Sequence, residues 1–256
     1  ISPFEHNAVT RVLEHYKNRI KVIVLPIKED FTYSLDDLKT FIDSNCPELV
    51  ILSHGSNVCG IITPVEEICS FAKAHNAFTV LDMAQTAGLV PLNTGNNNID
   101  FAIFEGHKTL LGPFGVGGFV KSKDINLMPV LFGGTGIESA NQDMPKDAPA
   151  RYEMGSQNIQ AIAGLHEAVN FEDIRAKEAE NHKRLYELLD SYDFIRIVGP
   201  KIRNGLIGVI SCLFEGYSSD EIGNVLDEND IAVRTGLQCA PLAHKTLGTF
   251  PSGTVR

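Results

Sequence analysis

The chain of 256 residues is 43% hydrophobic and 21% charged, which predicts one sizeable globular domain or a large and a small one. Its formal net charge of -10 argues against a nucleic acid as the main partner, because proteins that bind nucleic acids cluster Lys and Arg. With no apolar run of about eighteen residues and no charged leader before an apolar segment, the sequence predicts neither a membrane span nor a secretion signal, and we expect a cytoplasmic location.

The cysteines and the chain ends set further expectations. The five cysteines are scattered, odd in number and without a C-x-x-C pair, so we predict neither a disulfide framework nor a zinc site, and no metal. Cys46, Cys69 and Cys212 fall in helical or strand patterns and are predicted to lie in the core. The chain begins inside a patterned segment and stops without a closing element, so we expect it to be truncated at both ends.

Short apolar runs alternate with helical patterns in the first half of the chain. In order, we predict a helix near 8–16, a strand at 21–26, a helix capped by Ser34, a strand at 48–53, a helix from the capping box at 63–66 to about 76, and strands at 78–82 and 101–104. This alternation predicts a mostly parallel sheet with its functional loops on one edge.

The spacing becomes helical and long over 158–192, and we place a domain boundary there. Residues 1–157 form the predicted large domain, and 158–256 form a linking helix and a small α+β domain. In the small domain we predict strands at 194–198, 206–214 and 231–234, with a helix capped by Ser218 or Ser219 between the last two.

Polar side chains follow three strands of the predicted large domain. Asn57 follows the first, Asp82 and Gln85 the second, and His107 and Lys108 the third. Because parallel strands end at one edge of a sheet, these groups are expected to converge there, as a cofactor site requires. A partly desolvated lysine beside glycines loses its proton more easily, so Lys108 is the candidate for a Schiff base with a cofactor aldehyde.

Six short motifs occur in the order of one known family. They are Glu5-His-Asn-Ala8, Ser56-Asn-Val-Cys-Gly60, Asp82-Met-Ala-Gln85, Gly106-His-Lys108, Arg151-Tyr-Glu-Met-Gly-Ser156 and Arg234-Thr-Gly-Leu-Gln-Cys-Ala240. Together they resemble the class V aminotransferase family, and within it the cysteine desulfurases and selenocysteine lyases. The resemblance implies the fold type I of pyridoxal-phosphate enzymes: an α/β large domain with a mostly parallel sheet, a smaller α+β C-terminal domain, and a homodimer.

The resemblance also implies a role for each residue around the cofactor, pyridoxal 5'-phosphate. Lys108 would carry the cofactor as a Schiff base and later move the Cα proton of the substrate, while Asp82 would keep the pyridine nitrogen protonated. Gln85 and Asn57 would bond to the phenolic-oxygen side of the ring. His6 would stack on the face of the ring and so belong to the catalytic set.

The phosphate and substrate ends of the site follow from the same resemblance. His107 would reach the phosphate, and Ser156 would reach the phosphate held by the other subunit, which requires a dimer. Arg256 would pair bidentately with the substrate carboxylate, next to Asn57. Cys239 would attack the substrate sulfur as a thiolate and become a persulfide.

Two features depart from the family pattern. Glu105 stands where relatives carry a phosphate-binding Ser or Thr, and a carboxylate beside a phosphate dianion is repulsive unless it is protonated or turned away. We therefore expect a weakened affinity for the cofactor. The glycine-rich phosphate loop expected upstream is absent from the sequence, and Cys59, in the cofactor loop, is a further candidate to line the pocket.

These residues predict a pyridoxal-phosphate-dependent lyase that converts L-cysteine to L-alanine and passes the sulfur through Cys239, with an acceptor protein as a further partner. Selenocysteine lysis or transamination on the same cofactor stays open. Glu105 and the truncated ends also leave open a cofactor-free homologue that acts as a sulfur-transfer partner. A nucleotide-binding module built on the glycines of 112–118 is disfavoured, because no helix start follows them.

Overall fold

Two four-stranded sheets organise the chain in the computed structural model, which describes residues 1–95, 98–170, 175–201 and 205–256. The first sheet contains strands from the first half of the chain, and the second contains strands that follow the two long helices. The loops at one edge of the first sheet carry most of the candidate site residues.

The first sheet is mostly parallel, as the alternation of elements predicts. Its order is β1 (Leu49–Ser53), β2 (Phe78–Asp82), β3 (Phe101–Glu105) and β4 (Gly117–Lys121), with β4 antiparallel to β3. Ser53 pairs with Asp82, and Asp82 pairs with Ile103, so the three parallel strands end at one edge. β4 is an addition to the predicted strands, and it makes the glycine-rich stretch 112–118 part of a β-hairpin connection.

Helices cover one face of this sheet. α1 (Asn7–His15) precedes α2 (Leu35–Asn45) and α3 (Val65–Lys73), and the last two pack on the strands through a shared apolar core. Its largest fully buried side chains are Leu38, Ile42, Leu52, Ile68 and Leu81. The predicted cap of α2 is confirmed, because the Ser34 hydroxyl accepts a hydrogen bond from the amide of Asp37 at 3.4 Å.

Two local predictions in this half are wrong. The helix α3 begins at Val65 after Pro64 and has no side-chain cap, because the Thr63 hydroxyl donates instead to the carbonyl of Ser53 at 2.8 Å. Residues 21–26 do not form a strand; Ile1 binds them at two points, because its terminal nitrogen donates to the carbonyl of Ile23 at 3.0 Å and its carbonyl accepts from the Leu25 amide at 2.9 Å. Among the residues that the structure describes, no strand pairs with 21–26, so no ladder forms there.

The second sheet is antiparallel and lies after the helices α4 (Ile159–Val169) and α5 (Arg175–Asp190). Its elements in chain order are β5 (Ile195–Val198), β6 (Ser211–Phe214), α6 (Ser219–Asp227), β7 (Thr235–Gly236), α7 (Pro241–Thr246) and β8 (Thr254–Val255), and the strand order is β5-β6-β8-β7. Ser218 caps α6 as predicted, in a reciprocal capping box with Glu221.

Several predicted boundaries shift in this half. The strand predicted at 206–214 is limited to Ser211–Phe214. The one predicted at 231–234 is wrong, because β7 contains only Thr235–Gly236, although Arg234 exchanges two backbone hydrogen bonds with Arg256 beside it. The helical stretch predicted over 158–192 contains α4 and α5, and its residues 171–174 lie outside the described residues. The helix α7 and the strand β8 are additions to the predicted elements.

A second apolar core joins the loop after β1 to the second sheet. It contains Phe4, Val58, Cys59 and Ile61 from the first half of the chain and Val198, Ala240, Ala243 and Leu247 from the second. The Ser211 hydroxyl donates to the carbonyl of Val58 at 2.6 Å across this contact. The loop that carries Asn57 is therefore fixed from both sides.

The cysteines divide into buried and exposed thiols. Cys69 and Cys212 are buried as predicted, and burial raises the pKa of each thiol to about 12. Cys59 is also buried and belongs to the second core. The prediction for Cys46 is wrong, because it ends α2 in a left-handed conformation with φ 43° and is exposed.

Among the residues described, no helix has the length and apolar character needed to cross a bilayer.

Candidate active site

The loops that follow β1, β2 and β3 enclose a cleft of about 270 Å³, here called the central cleft. Its lining includes five of the predicted site residues: His6, Asn57, Asp82, Gln85 and Lys108. The cleft lies where the parallel strands end, the usual position of ligand sites in open α/β sheets. An amine, a carboxylate, an imidazole and two amides thus face one space.

Lys108 lies in the turn that follows β3. The Gly112 amide donates to the carbonyl of Gly106 at 2.8 Å, and the Gly106 amide donates to the carbonyl of Val116 at 3.0 Å. A Cβ at Gly106 would lie 2.6 Å from the Val116 carbonyl oxygen, so glycine is required at this close approach. The hairpin between β3 and β4 therefore fixes the backbone that presents the lysine.

Asp82 is the last residue of β2 and lines the same cleft. One of its carboxylate oxygens, Oδ1, accepts a hydrogen bond from the Ala84 amide at 2.9 Å. Across the described residues, no ion pair within 4.0 Å joins Asp82 to Lys108. The ammonium and the carboxylate are therefore both available to a group that occupies the cleft.

His6 caps α1 at the rim of the central cleft. Its Nδ1 accepts a hydrogen bond from the Ala8 amide at 3.1 Å, so Nε2 carries the hydrogen of the neutral ring. Burial, and then the positive charge of Lys108, lower the pKa of His6, whereas Asp82 acts in the opposite direction. The ring is thus held neutral within electrostatic reach of both groups.

Glu5 anchors the segment that carries His6, and sequence reasoning missed it. The carboxylate is fully buried, and it accepts hydrogen bonds from the Ser53 amide at 2.7 Å, the Ser53 hydroxyl at 2.8 Å and the Ser2 hydroxyl at 2.5 Å. Burial raises the pKa of Glu5, and the hydrogen bonds oppose that shift. No local sequence signal identifies this role, because Ser53 is 48 residues away along the chain.

His107 pairs with Glu105, and of the two only Glu105 lines the central cleft; His107 lines neither cleft. His107 Nδ1 lies 3.0 Å from Glu105 Oε1, and because a carboxylate can only accept, Nδ1 carries the hydrogen. The His107 ring also lies against Phe114, with ring centroids 4.4 Å apart. Glu105 remains in the lining of the central cleft, so its negative charge is partly compensated by His107 but not removed.

Asn57 links the central cleft to two other predicted residues. Its side-chain nitrogen donates to the main-chain carbonyl of Gln238 at 2.8 Å, next to Cys239. Its main-chain carbonyl accepts a hydrogen bond from Arg256 Nη1 at 2.9 Å. The amide nitrogen is therefore already engaged, and Oδ1 is the atom that Asn57 offers to a ligand. Sequence reasoning predicted Asn57 as a ligand contact but missed this structural tie.

Arg256 lies in a larger cleft of about 760 Å³, here called the outer cleft, whose lining also includes Gln85 and Lys108. Burial, and then the charge of Arg234, lower the pKa of Arg256, while Cys239 acts in the opposite direction. The guanidinium is thus within electrostatic reach of the thiol and shares a cleft with the lysine. The structure brings together Lys108, Gln85 and Arg256 at the junction of the two clefts.

Cys239 lies in the loop between β7 and α7 with its thiol exposed. Its carbonyl accepts a hydrogen bond from the Asn7 amide at 2.8 Å, which places it directly beside the start of α1 and hence beside His6. Ser156 is exposed as well, and neither Ser156 nor Cys239 is among the residues that line the two clefts. The contact of Ser156 with the phosphate of a partner subunit stays a prediction.

Comparison with known proteins identifies the family that the chain matches. A family model described as aminotransferase class-V matches residues 1–256. A probable cysteine desulfurase 2 from Mycobacterium leprae is 34% identical over 258 residues, which cover 93% of this chain and 61% of that protein. A probable cysteine desulfurase from Aeropyrum pernix is 35% identical over 212 residues, which cover 76% of this chain and 51% of that protein.

Solved structures show the same architecture. The apo structure of a cysteine desulfurase from Thermococcus onnurineus matches 99% of this chain with a TM-score of 0.88 and 30% identity, and the match covers 65% of that chain. The S-sulfonic acid form of a cysteine desulfurase from Escherichia coli matches with a TM-score of 0.86 and 25% identity, again over 65% of its chain. The chain thus spans less than two thirds of these relatives.

Proposed function

Since the chain belongs to the class V aminotransferase family, we propose that it acts in a pyridoxal-phosphate-dependent cysteine desulfurase that converts L-cysteine to L-alanine. The sulfur is left on Cys239 as a persulfide. The observation that carries this proposal is that Cys239 is exposed and binds, through its main-chain carbonyl, the Asn7 amide at the start of α1, next to the central cleft that Lys108, Asp82 and His6 line.

The lining of the central cleft fits pyridoxal phosphate by its chemistry. The cofactor, when bound, supplies an aldehyde for the substrate amine and a ring that accepts an electron pair. Asp82 holds a proton at the pyridine nitrogen, and the neutral ring of His6 offers a flat face to an aromatic ring. The Nε2 atom of His107 remains available to a phosphate oxygen, because Nδ1 is engaged by Glu105.

Substrate handling falls to Lys108 and Arg256. Lys108 Nζ takes the proton from the substrate Cα and returns it on the product side. Arg256 binds the substrate carboxylate, for which its planar guanidinium offers two parallel N–H groups. Both residues line the outer cleft, so an amino acid bound there has its carboxylate next to Arg256 and its Cα proton next to Lys108.

Cys239 performs the sulfur transfer. Its thiolate attacks the sulfur of L-cysteine, the bond between that sulfur and Cβ breaks, and the electron pair stays on Cβ, which takes a proton to give L-alanine. Cys239 then carries the transferred sulfur as a persulfide, which an acceptor thiol removes by attack on the outer sulfur. We include an acceptor protein among the partners.

The experiment compares Cys239→Ser with Cys46→Ser, since Cys46 is the other exposed cysteine and contacts His75 rather than the cleft residues. We expect Cys239→Ser to keep the visible absorbance of bound pyridoxal phosphate but to lose sulfide release by at least about 100-fold, because the nucleophile is gone. Cys46→Ser should keep both. Unchanged sulfide release by Cys239→Ser would contradict the persulfide step and leave the cofactor assignment intact.

Two alternatives predict different outcomes. Lysis of L-selenocysteine or transamination would use the same lysine and aspartate, and assays of alanine and sulfide against keto acid separate these reactions. The Glu105 carboxylate in the central cleft favours a cofactor-free homologue that transfers sulfur. A protein that stays colourless after addition of pyridoxal phosphate would support that second alternative.

We also propose a cytoplasmic homodimer. The segment 127–132, here called the apolar segment, exposes Met128, Val130 and Phe132 at 80%, 87% and 73%. Such contiguous apolar exposure is typical of a protein-protein interface.

The exposed Cys239 thiol is consistent with a reducing compartment, where free thiols persist.

A further inference from the structure

We propose that His244 is a positioning residue that fixes the Cys239 thiol in its reactive place through the side chain of Gln238. The inference rests on the proposed function, because it concerns how the nucleophile of that reaction is held. His244 is fully buried and lines neither the central nor the outer cleft. It contacts no reacting atom and acts only through its neighbours.

The loop that carries Cys239 has a backbone conformation that side chains disfavour. Gln238 has φ 43° and Cys239 has φ 56°, so two successive residues other than glycine lie in the left-handed region. Side chains crowd the backbone in this region, so the conformation persists only where the surroundings impose it. The position of the thiol therefore depends on anchors outside the loop.

Two main-chain anchors hold the loop. Asn57 Nδ2 donates to the carbonyl of Gln238, and the Asn7 amide donates to the carbonyl of Cys239, each at 2.8 Å. These bonds tie the two carbonyls to the edge of the central cleft. Neither bond involves the side chain of Gln238, which belongs to the same left-handed turn.

The Gln238 side chain is the third anchor, and it is only 6% exposed. Its amide nitrogen donates to the carbonyls of Thr254 at 3.2 Å and Arg234 at 3.4 Å. Its amide oxygen accepts from Thr254 Oγ1 at 3.2 Å and from His244 Nε2 at 2.8 Å. The bond from His244 is the shortest of the four, so its loss releases the side chain most.

His244 is itself held at both ring nitrogens. Because the amide oxygen of Gln238 can only accept, Nε2 carries the hydrogen, and the bare Nδ1 accepts from Thr249 Oγ1 at 2.7 Å. Burial lowers the pKa of His244, which keeps the ring in this neutral tautomer. The hydrogen bonds from Thr249 to His244 and from His244 to Gln238 thus hold the loop that carries Cys239 in a single arrangement.

The test compares His244→Leu, which removes both hydrogen bonds, with His244→Gln, whose amide nitrogen can still donate to Gln238. In the full-length holoenzyme we expect His244→Leu to lower kcat for sulfide release by about 10- to 100-fold, because misplacing a reacting group by about 1 Å has effects of this size. The KM for L-cysteine and the visible absorbance of the cofactor should change by less than about twofold. His244→Gln should recover most of the lost kcat.

Equal kcat in His244→Leu and the unmutated protein overturns the proposal, as does a loss that His244→Gln fails to reverse. If His244→Leu does not fold, Thr249→Val and Thr249→Ser replace the pair, because they remove and keep the hydroxyl that fixes Nδ1. The same kcat pattern is then expected and the same equality overturns it.

Failure of the proposed function has a different signature, since the unmutated protein would then release no sulfide. In that case the readout is alkylation of Cys239 by iodoacetamide in a Cys46→Ser background, in which the thiolate displaces iodide. A change in rate of about threefold or more in His244→Leu, reversed in His244→Gln, supports positioning of the thiol. Equal alkylation rates in all three proteins overturn it.

Discussion

At position 105 a carboxylate faces the central cleft, held by His107 at 3.0 Å. If the proposed cofactor places its phosphate near His107, this carboxylate repels it across a partly solvated distance. The Glu105 side chain is 36% exposed, so solvent screens the repulsion and its effect on binding is modest. The pair thus gives a physical reason for the weakened cofactor affinity that the sequence predicts.

We expect Glu105→Gln to bind pyridoxal phosphate about two- to fivefold more tightly than the unmutated protein, because it removes the charge and keeps the shape. The measurement is a titration of the apoprotein followed by visible absorbance. Glu215→Gln, at an exposed position just after β6, is the control and should bind like the unmutated protein. Equal or weaker binding by Glu105→Gln would show that the carboxylate is not felt at the phosphate site.

A second residue-scale effect concerns stability and pH. His54 is 3% exposed, Thr86 Oγ1 lies 2.9 Å from its Nδ1, and burial lowers the pKa of His54 to about 4. As pH falls below about 6.5, the unfolded chain takes up a proton at this residue while the folded ring stays neutral. The contribution of the neutral His54 ring to the free energy of unfolding is therefore present above pH 6.5 and is lost as pH falls towards 4.

We expect His54 to account for about 2–3 kcal/mol of the stability lost between pH 7 and pH 4.5, because each tenfold difference in proton affinity between the unfolded and folded protein corresponds to about 1.4 kcal/mol. Urea denaturation at the two pH values measures it. His54→Gln should show a smaller loss by that amount, whereas His15→Gln, at an exposed site in α1, should behave like the unmutated protein. A His54→Gln variant with an unchanged pH dependence would contradict the assignment.

At the scale of elements, the hairpin between β3 and β4 decides where Lys108 stands. Pairing from Phe101 with Lys121 to Glu105 with Gly117 fixes the strands, and the tight approach of Gly106 to Val116 closes the end. A helix start after the glycines, as in nucleotide-binding loops, does not occur there. The glycines of this stretch thus serve the close packing of the hairpin.

We expect Gly106→Ala to destabilise the protein by about 1–3 kcal/mol, because the new Cβ would meet a backbone oxygen at 2.6 Å. It should also weaken binding of pyridoxal phosphate, since the turn with Lys108 must move. Urea denaturation and the cofactor titration measure the two effects. Gly134→Ala is the matched control, because a Cβ there meets nothing within 4 Å; equal stability of the two variants would contradict the prediction.

At the scale of the whole molecule, the fold type I architecture implied by the family resemblance is confirmed by the solved relatives. The two sheets share the apolar core that runs from Phe4 and Val58 to Ala243 and Leu247. That core places Cys239 and Arg256, from the end of the chain, beside groups from its first third. The proposed reaction depends on this contact as much as on either sheet.

The proposed homodimer is tested on the apolar segment. We expect Phe132→Asp to shift the protein from dimer to monomer in sedimentation velocity experiments, because a carboxylate cannot be buried in an apolar interface without a partner. Tyr217→Asp, at a residue that is 65% exposed in the turn between β6 and α6, is the control and should leave the dimer intact. A Phe132→Asp variant that remains dimeric would place the interface elsewhere.

The sequence by itself determined the elements whose causes are local. Short patterns predicted the caps at Ser34 and Ser218 and the three parallel strands, the third of which ends one residue later than predicted, at Glu105. The geometry of parallel strands predicted that Lys108 and Asp82 converge at one edge. The family resemblance added Cys239 and Arg256, which no local pattern would connect.

Only the tertiary structure decided which surfaces meet. Residues 21–26 do not form a strand, and Cys46 is exposed. The Thr63 hydroxyl donates to the carbonyl of Ser53 instead of capping its helix. The tie from Asn57 to Gln238 joins residues 181 positions apart. Hydrogen-bond pairing and burial depend on neighbours that are distant in sequence, so a pattern within one segment cannot determine them.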